Sequence, residues 1–298
     1  MSDGRRGMLL GISAYAMWGL FPLYFPLLEP AGALEILAHR LVWSLLTMAL
    51  VVLVLRKRRS LAALLRDRRK VGLLALAALA ITANWGMYIY GVVTQHVVET
   101  ALGYYINPLV SVLLGVLFLG ERLRRLQWVA IGLVVLAVLV LTIGYGRLPW
   151  IALVLAFSFG TYGLLKKKAA AGAVESLTVE TAVVAGPALA YLVWLGAAGQ
   201  AQAGAHGTGH ALLFATTGVV TAVPLLCFGA AAIRLSLTTI GMLQYLTPTI
   251  QFLIGVYVQG EAMPTERWVG FALVWLGLVV FTVEAIRGSR RRVVAPVA

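Results

Sequence analysis

Acidic side chains are scarce. The 298 residues hold 11 Asp and Glu against 24 Lys and Arg, and charged residues of both signs make up only 12% of the chain. A soluble domain carries about a quarter charged residues on its water-facing surface. That shortage excludes a hydrated shell and makes lipid the solvent. The one cysteine, Cys227, excludes an internal disulfide. No Gly-rich phosphate loop ending in Lys-Ser/Thr is present, which argues against direct use of ATP. There is also no His-Glu-x-x-His motif, no pair of intramembrane aspartates and no nucleophile–base set at workable spacing. The chain therefore does not read as an enzyme, and no cofactor is implied. His206 and His210 are four apart, but their Gly-rich surroundings argue against a helix and against a metal site.

What is present is apolar: 61% of residues are hydrophobic and the mean hydropathy is +0.93. The net charge of +13 could suggest nucleic acid. However, the basic residues fall in short clusters between apolar runs, a placement that suits membrane orientation and leaves nucleic acid out. Arg5 and Arg6 before an apolar run superficially resemble a signal peptide. The run from Gly7 to Leu28 is long enough to span, and no small-residue cleavage pattern interrupts it.

A membrane span needs about 20 mostly apolar residues, and backbone in lipid must satisfy its own hydrogen bonds, so each span is a helix. The sequence predicts ten: 7–28, 33–55, 71–94, 97–119, 126–145, 148–166, 178–198, 211–233, 239–259 and 267–287. Breaks fall at Glu29-Pro30-Ala31-Gly32, in the basic run 56–70, at Gln95-His96 and at Gly144-Tyr145-Gly146. The Gly/Gln/His stretch 199–210 reads as a flexible external loop. With a cytoplasmic N-terminus, twenty-one of the 24 Lys and Arg fall on the inside, the bias expected of cytoplasmic loops. Only Arg147 and Arg267 fall outside, and Arg40 lies within a span. Both termini are then cytoplasmic in a multi-pass protein.

The chain also repeats itself. Glu99-Thr-Ala-Leu-Gly-Tyr-Tyr-Ile-Asn-Pro108 leads into an apolar run ending at Gly120-Glu121, and Gly241-Met-Leu-Gln-Tyr-Leu-Thr-Pro248 leads into one ending at Gly260-Glu261. One offset of 140 residues superposes Tyr105 on Tyr245, Pro108 on Pro248, Gly115 on Gly255, Gly120 on Gly260, Glu121 on Glu261 and Trp128 on Trp268. The expected fold is an all-α membrane protein of ten transmembrane helices arranged as two five-helix repeats, 1–145 and 146–287, followed by a basic cytoplasmic tail, 288–298. Five is odd, so the second repeat enters from the opposite side and the repeats are inverted. That symmetry is a transporter signature, because two opposed halves can exchange conformations around a central site.

Charge in the bilayer interior costs about 2.5–3.5 kcal/mol on insertion scales and asks for a reason. The second span carries Glu35 and His39 on one face, with Arg40 about 100° further round. Arg40 is about 24 Å along the helix from Arg56, which places it in the outer half of the membrane. It is a candidate counter-charge for an anionic or zwitterionic substrate group, or a partner of Glu35 in a gate; a structural pair between helices is the alternative. Glu35, His39 and Glu99 are candidate carriers of a coupling proton, although His39 also suits a packing role. The third span adds Asn84, Trp85 and Tyr88 at mid-depth. The fourth adds Glu99, Tyr104, Tyr105, Asn107 and Pro108, and the ninth Gln244, Tyr245 and Pro248 at matching depth. A proline within a helix frees the carbonyl four residues back, and such carbonyls persist at depth only against protein or a water-filled cavity. Together these residues mark the substrate path. Glu180 reads as a helix-start carboxylate favoured by the dipole. Glu121 and Glu261 read as organisers of tight turns.

Several stretches resemble a known family. They include Trp18-Gly19-Leu-Phe-Pro22, Glu35-x-x-x-His39-Arg40-x-x-Trp43-Ser44, Asn84-Trp85-x-x-Tyr88-Ile89 and Glu99-x-x-Leu102-Gly103-Tyr104-Tyr105-Ile106-Asn107-Pro108-Leu109. Pro149-Trp150, Gly160-x-Tyr162-Gly163, Thr221-Ala222-x-Pro224-Leu225 and Gln244-Tyr245-x-x-Pro248 continue the likeness over nearly the whole chain. The sequence is similar to the drug/metabolite transporter superfamily, in its EamA-type branch, and more closely to the RarD-like proteins. The resemblance implies a permease of the bacterial cytoplasmic (inner) membrane with ten helices and a central pathway, of a kind commonly labelled chloramphenicol-sensitive. The expected function is secondary transport of a small-molecule metabolite or drug by alternating access through a central polar cavity, with the lipid bilayer as surroundings. A channel or a non-transporting structural partner protein is the alternative; a channel calls for a continuous polar stripe, whereas the polar groups here cluster at mid-depth.

Overall fold

A computed structural model describes residues 3–120, 123–235 and 237–293, and among them the regular structure is helical with no strand. Glu121, assigned above to a turn, lies outside the described residues, as do Arg122 and residues 294–298. The helices are α1 (Asp3–Gly19), α2 (Phe21–Tyr24), α3 (Ala33–Val54), α4 (Arg58–Arg66), α5 (Arg68–Val93), α6 (Val97–Leu119) and α7 (Arg125–Tyr145). They continue with α8 (Trp150–Ala169), α9 (Ala173–Ala197), α10 (Thr208–Ala232), α11 (Leu237–Leu243), α12 (Leu246–Leu253) and α13 (Thr265–Val293). A 3-10 turn, Phe25–Leu28, extends α2, and a π turn, Ile254–Val258, extends α12.

Among the described residues, 7 helices are long and apolar enough to cross a membrane, or 8 if α1 and its continuation, bent by 43°, form one span. Ten were expected, and the shortfall has local causes. α1 opens on Asp3, Arg5 and Arg6 and breaks at Leu20. α8 ends on Lys166, Lys167 and Lys168, which shortens its apolar stretch. The expected span 239–259 is interrupted at Gln244 and Tyr245.

Other boundaries also differ. The basic break 56–70 contains α4, whose Leu61 and Leu64 rest on Leu74, Ala169 and Val179 while its arginines face outward. α9 starts at Ala173, five residues before the expected 178, so Glu180 lies past the first turn and the dipole account of it falls. α13 runs to Val293, past the expected end at 287. The stretch 199–210 is tied down rather than loose. Gln202 N and Ala203 N donate to Glu35 Oε1 at 2.8 and 2.9 Å, and Gly204 N donates to His210 Nδ1 at 3.2 Å. His210 itself belongs to α10, contrary to the non-helical reading of its surroundings.

The helix ends follow ordinary capping. Asp67 accepts from Lys70 N at 3.1 Å at the start of α5. Gly120 closes α6 and Gly260 precedes α13, both left-handed at φ 67°. Helix starts keep the sequence offset: Ala33 and Ala173, Arg68 and Thr208, Val97 and Leu237, and Arg125 and Thr265 each stand 140 residues apart.

The helices pair across the chain. α1 packs on α10 and α12, α8 on α5 and α6, α3 on α9 and α10, and α5 on α9. α6 packs on α12 and α7 on α13. Small residues permit the closest approaches, as membrane packing requires. A Cβ on Gly218 would collide with Trp43 O, and one on Gly103 would sit 2.8 Å from Ala152 O.

Candidate functional site

The bend after α1 decides what lies at the centre. Because α2 and its 3-10 turn swing inward, Phe21 and Phe25 become buried and meet α3 and α5. Arg40, on α3, is 3% exposed. Its guanidinium carbon lies 4.3 Å from the Trp85 ring centroid, 5.4 Å from that of Phe21 and 5.7 Å from that of Phe25, within cation–π range. Arg40 Nε donates to Thr221 Oγ1 on α10 at 2.9 Å, and Nη1 is buried with no hydrogen-bond partner. The hydroxyls of Tyr24, Tyr88 and Tyr104 lie within its electrostatic reach.

A polar chain continues from there. Tyr104 donates to Asn84 Oδ1 at 3.2 Å, and Asn84 Nδ2 donates to Leu155 O at 3.0 Å and Ser158 Oγ at 3.1 Å. Tyr88 and Tyr104 meet edge to face at 5.6 Å. Gln251 Nε2 donates to Tyr88 Oη at 2.9 Å and Trp18 O at 3.2 Å, while Gln251 Oε1 is buried without a partner. Asn84 and Gln251 are 0% and 1% exposed. Five expected residues, Arg40, Asn84, Trp85, Tyr88 and Tyr104, thus converge on one closed polar centre.

The remaining expected residues stand elsewhere. Glu35 does not pair with Arg40, which removes the expected gate; the loop amides of Gln202 and Ala203 have taken its carboxylate. His39 packs its ring 4.7 Å from that of Phe214. Glu99 holds the next connection: Arg147 Nη2 donates to its Oε2 at 2.8 Å and Ile151 N to its Oε1 at 3.1 Å. Tyr105 and Tyr245 line a separate apolar hollow of about 480 Å³ with Trp275, and Tyr105 Oη lies 2.8 Å from Thr249 Oγ1. Asn107 accepts from Ser111 Oγ at 3.4 Å. α6 runs unbroken through Pro108, whereas at the matching depth the chain breaks at Gln244 and Tyr245, ahead of buried Pro248.

Sequence reasoning missed Phe21, Phe25 and Ser158. The recurrence of Phe-Pro at 21–22 and 25–26, one helical turn apart, was the available signal for the first two; Ser158 carried none. It also missed a second buried charge cluster. Glu180, 1% exposed, takes Lys166 Nζ on Oε1 at 2.7 Å and Tyr162 Oη on Oε2 at 3.1 Å, and Lys166 also reaches Ser176. Glu261 does more than organise its turn. It accepts from Val98 N at 3.0 Å, capping α6 from a distant part of the chain. Burial pushes its carboxyl above the usual range, against the pull of the Val98 amide and Arg267.

The EamA-like transporter family model matches residues 5–143. Over the full length, the chain is 61% identical to a protein of Streptomyces exfoliatus named Protein RarD, covering 97% of this chain and 92% of that protein. It is 42% identical to Protein RarD of Escherichia coli, covering 96% and 97%. It is 43% identical to a Bacillus subtilis protein named uncharacterized transporter YojE, covering 97% of each. One solved crystal structure, 17% identical, superposes with a TM-score of 0.60 over 94% of this chain and 98% of that one, a likeness that bears on the fold alone.

Proposed function

The chain belongs to the EamA-like family of drug/metabolite transporters, close to the RarD proteins, and we propose that it is a secondary carrier working by alternating access. It is a multi-pass membrane protein of the transporter kind. The finer reading is ten spans in two inverted repeats, 1–145 and 146–287, in the bacterial cytoplasmic membrane with both termini cytoplasmic.

The helix pairing carries this reading. The proposed spans are α1 with its continuation, α3, α5, α6, α7, α8, α9, α10, α11 with α12, and α13. Exchanging each span for the one five places away turns α1 on α10 and α12 into α8 on α5 and α6, and α3 on α10 into α9 on α5. The pairs α3 with α9, α6 with α12 and α7 with α13 map onto themselves. Two interchangeable bundles around one polar centre are what alternating access requires. The matched span 5–143 coincides with one repeat, which adds support. With Glu35 and Glu99 engaged as acceptors, His39 is the group we assign to any coupling proton.

The test is flux in proteoliposomes of the full chain, with and without an imposed proton gradient. The probes are labelled organic solutes, among them chloramphenicol, since a Pseudomonas aeruginosa relative 31% identical carries the name chloramphenicol-sensitive protein RarD. Saturable uptake with counterflow supports a carrier. Non-saturating flux supports a channel, and no flux of any solute supports a structural partner protein.

A further inference from the structure

We infer that the polar centre takes an organic monoanion with an uncharged aromatic or apolar body, its acidic group on Arg40 and its body against Trp85. This inference rests on the carrier reading and names the substrate class of that same site. A guanidinium at 3% exposure demands a compensating negative charge, because burial removes the water that would otherwise solvate it. Among the described residues none of the acidic side chains supplies it. Glu35 is held by the loop amides, Glu99 by Arg147 and Ile151 N, and Glu180 by Lys166. What surrounds Arg40 instead is three aromatic rings, one threonine hydroxyl and, further off, the neutral hydroxyls of Tyr24, Tyr88 and Tyr104, and Nη1 keeps an unused N–H. Planar guanidinium donors match carboxylate oxygens and stack on ring faces, so the unfilled requirement is an anion, and the walls beside it suit an apolar body.

The same inventory excludes a zwitterion. An ammonium group needs a carboxylate or a set of acceptors, and the neighbouring buried acceptors without a partner are two neutral oxygens, Gln251 Oε1 and Ser44 Oγ. Uncharged oxygens of this kind suit a hydroxyl or amide N–H on the ligand's body. Amino acids are therefore selected against, and neutral compounds leave the guanidinium uncompensated.

The experiment compares four probes on the purified full-length protein by calorimetry and thermal stabilisation. They are 3-phenylpropionate, its amide 3-phenylpropanamide, L-phenylalanine (the same acid with an ammonium added) and sodium sulfate. The expected result is that 3-phenylpropionate binds at least tenfold tighter than each of the other three, and that Arg40→Gln lowers it to the level of the amide. Equal affinity for acid and amide, phenylalanine or sulfate binding as well as the acid, no binding of the acid, or a preference that survives Arg40→Gln overturns the inference. Should Arg40→Gln fail to fold, the wild-type series decides alone, and Thr221→Val, which loses one Arg40 contact, should weaken only the acid. Saturable uptake of neutral solutes without a carboxylate preference would overturn this inference and leave the carrier standing. Carboxylate binding without flux of any solute would do the reverse.

Discussion

Arg40 and Glu180 occupy the same place in two helices, each the eighth residue of its own, α3 and α9. Both are buried, yet the fold treats them differently. Glu180 is answered inside the protein by Lys166 and Tyr162. Arg40 is answered by aromatic faces and a hydroxyl, with no carboxylate among the described residues. A neutralised pair holds α8 to α9 and is complete as it stands, whereas an uncompensated cation is a requirement left for something that arrives. The neighbouring carboxylates behave in parallel instead. Glu35 and Glu175, each third in its helix, both secure the connector between two other spans: Glu35 takes the amides of the 199–207 loop, and Glu175 meets Lys57 Nζ at 3.4 Å. One matched pair of positions thus keeps one job, and the other has diverged.

The contrast predicts opposite outcomes for similar substitutions. Arg40→Gln should lower anion affinity about tenfold or more, equivalent to about 1.4 kcal/mol or more for losing one side of a buried charge pair. It should leave thermal stability unchanged or higher, since an unpaired buried charge is removed; calorimetry and a melting curve check both. Glu180→Gln should do the reverse, costing about 1–3 kcal/mol of stability by leaving Lys166 unanswered. That is less than for a fully buried pair, because the lysine side chain is 25% exposed, and Lys166→Met in the same chain should restore most of the loss. A denaturation series on the single and double variants measures it.

Packing sharpens the contrast next. A Cβ added to Gly218 of α10 would collide with Trp43 O of α3, while the matching position in α5 is Ala78, fully buried with its Cβ accommodated. Gly218→Ala should cost about 1–3 kcal/mol by overpacking, and Ala78→Gly only about 0.5–1 kcal/mol. The smallest effect is expected from Glu35→Gln. It should cost about 1 kcal/mol and raise hydrogen exchange at Gln202 and Ala203 while leaving Lys57 and the α4 connector as they were.

Much of this was legible beforehand. The 140-residue offset, read from Tyr105, Pro108 and their partners, reappears in helix starts such as Ala33 and Ala173. Arg40, Asn84, Trp85, Tyr88 and Tyr104 stood out as polar or aromatic groups in apolar runs, and they converge. What failed did so because sequence depth is not the same as facing. Tyr105 and Tyr104 are adjacent, so about 100° separates them on the helix, and Tyr105 turns to the hollow by Trp275. Glu35 and Glu99 looked like buried charges with a task in transport. Glu35 is held by the amides of a distant loop, and Glu99 by the Arg147 guanidinium and the Ile151 amide at the start of α8, partners whose approach no local pattern announces. Likewise Pro108 and Pro248 suggested equivalent freed carbonyls within two continuous spans, but only the second span breaks, where Gln244 and Tyr245 interrupt the helix.

The central claim, that one buried centre around Arg40 opens in turn to both sides of the membrane, is tested most directly by a cysteine one helical turn away. Ser44 is 1% exposed with its hydroxyl unpartnered, and Ser44→Cys in a Cys227→Ala chain gives a single small reporter. A membrane-impermeant maleimide should modify it in right-side-out vesicles and also in inverted ones. Modification from one side only, or from neither, would contradict the account.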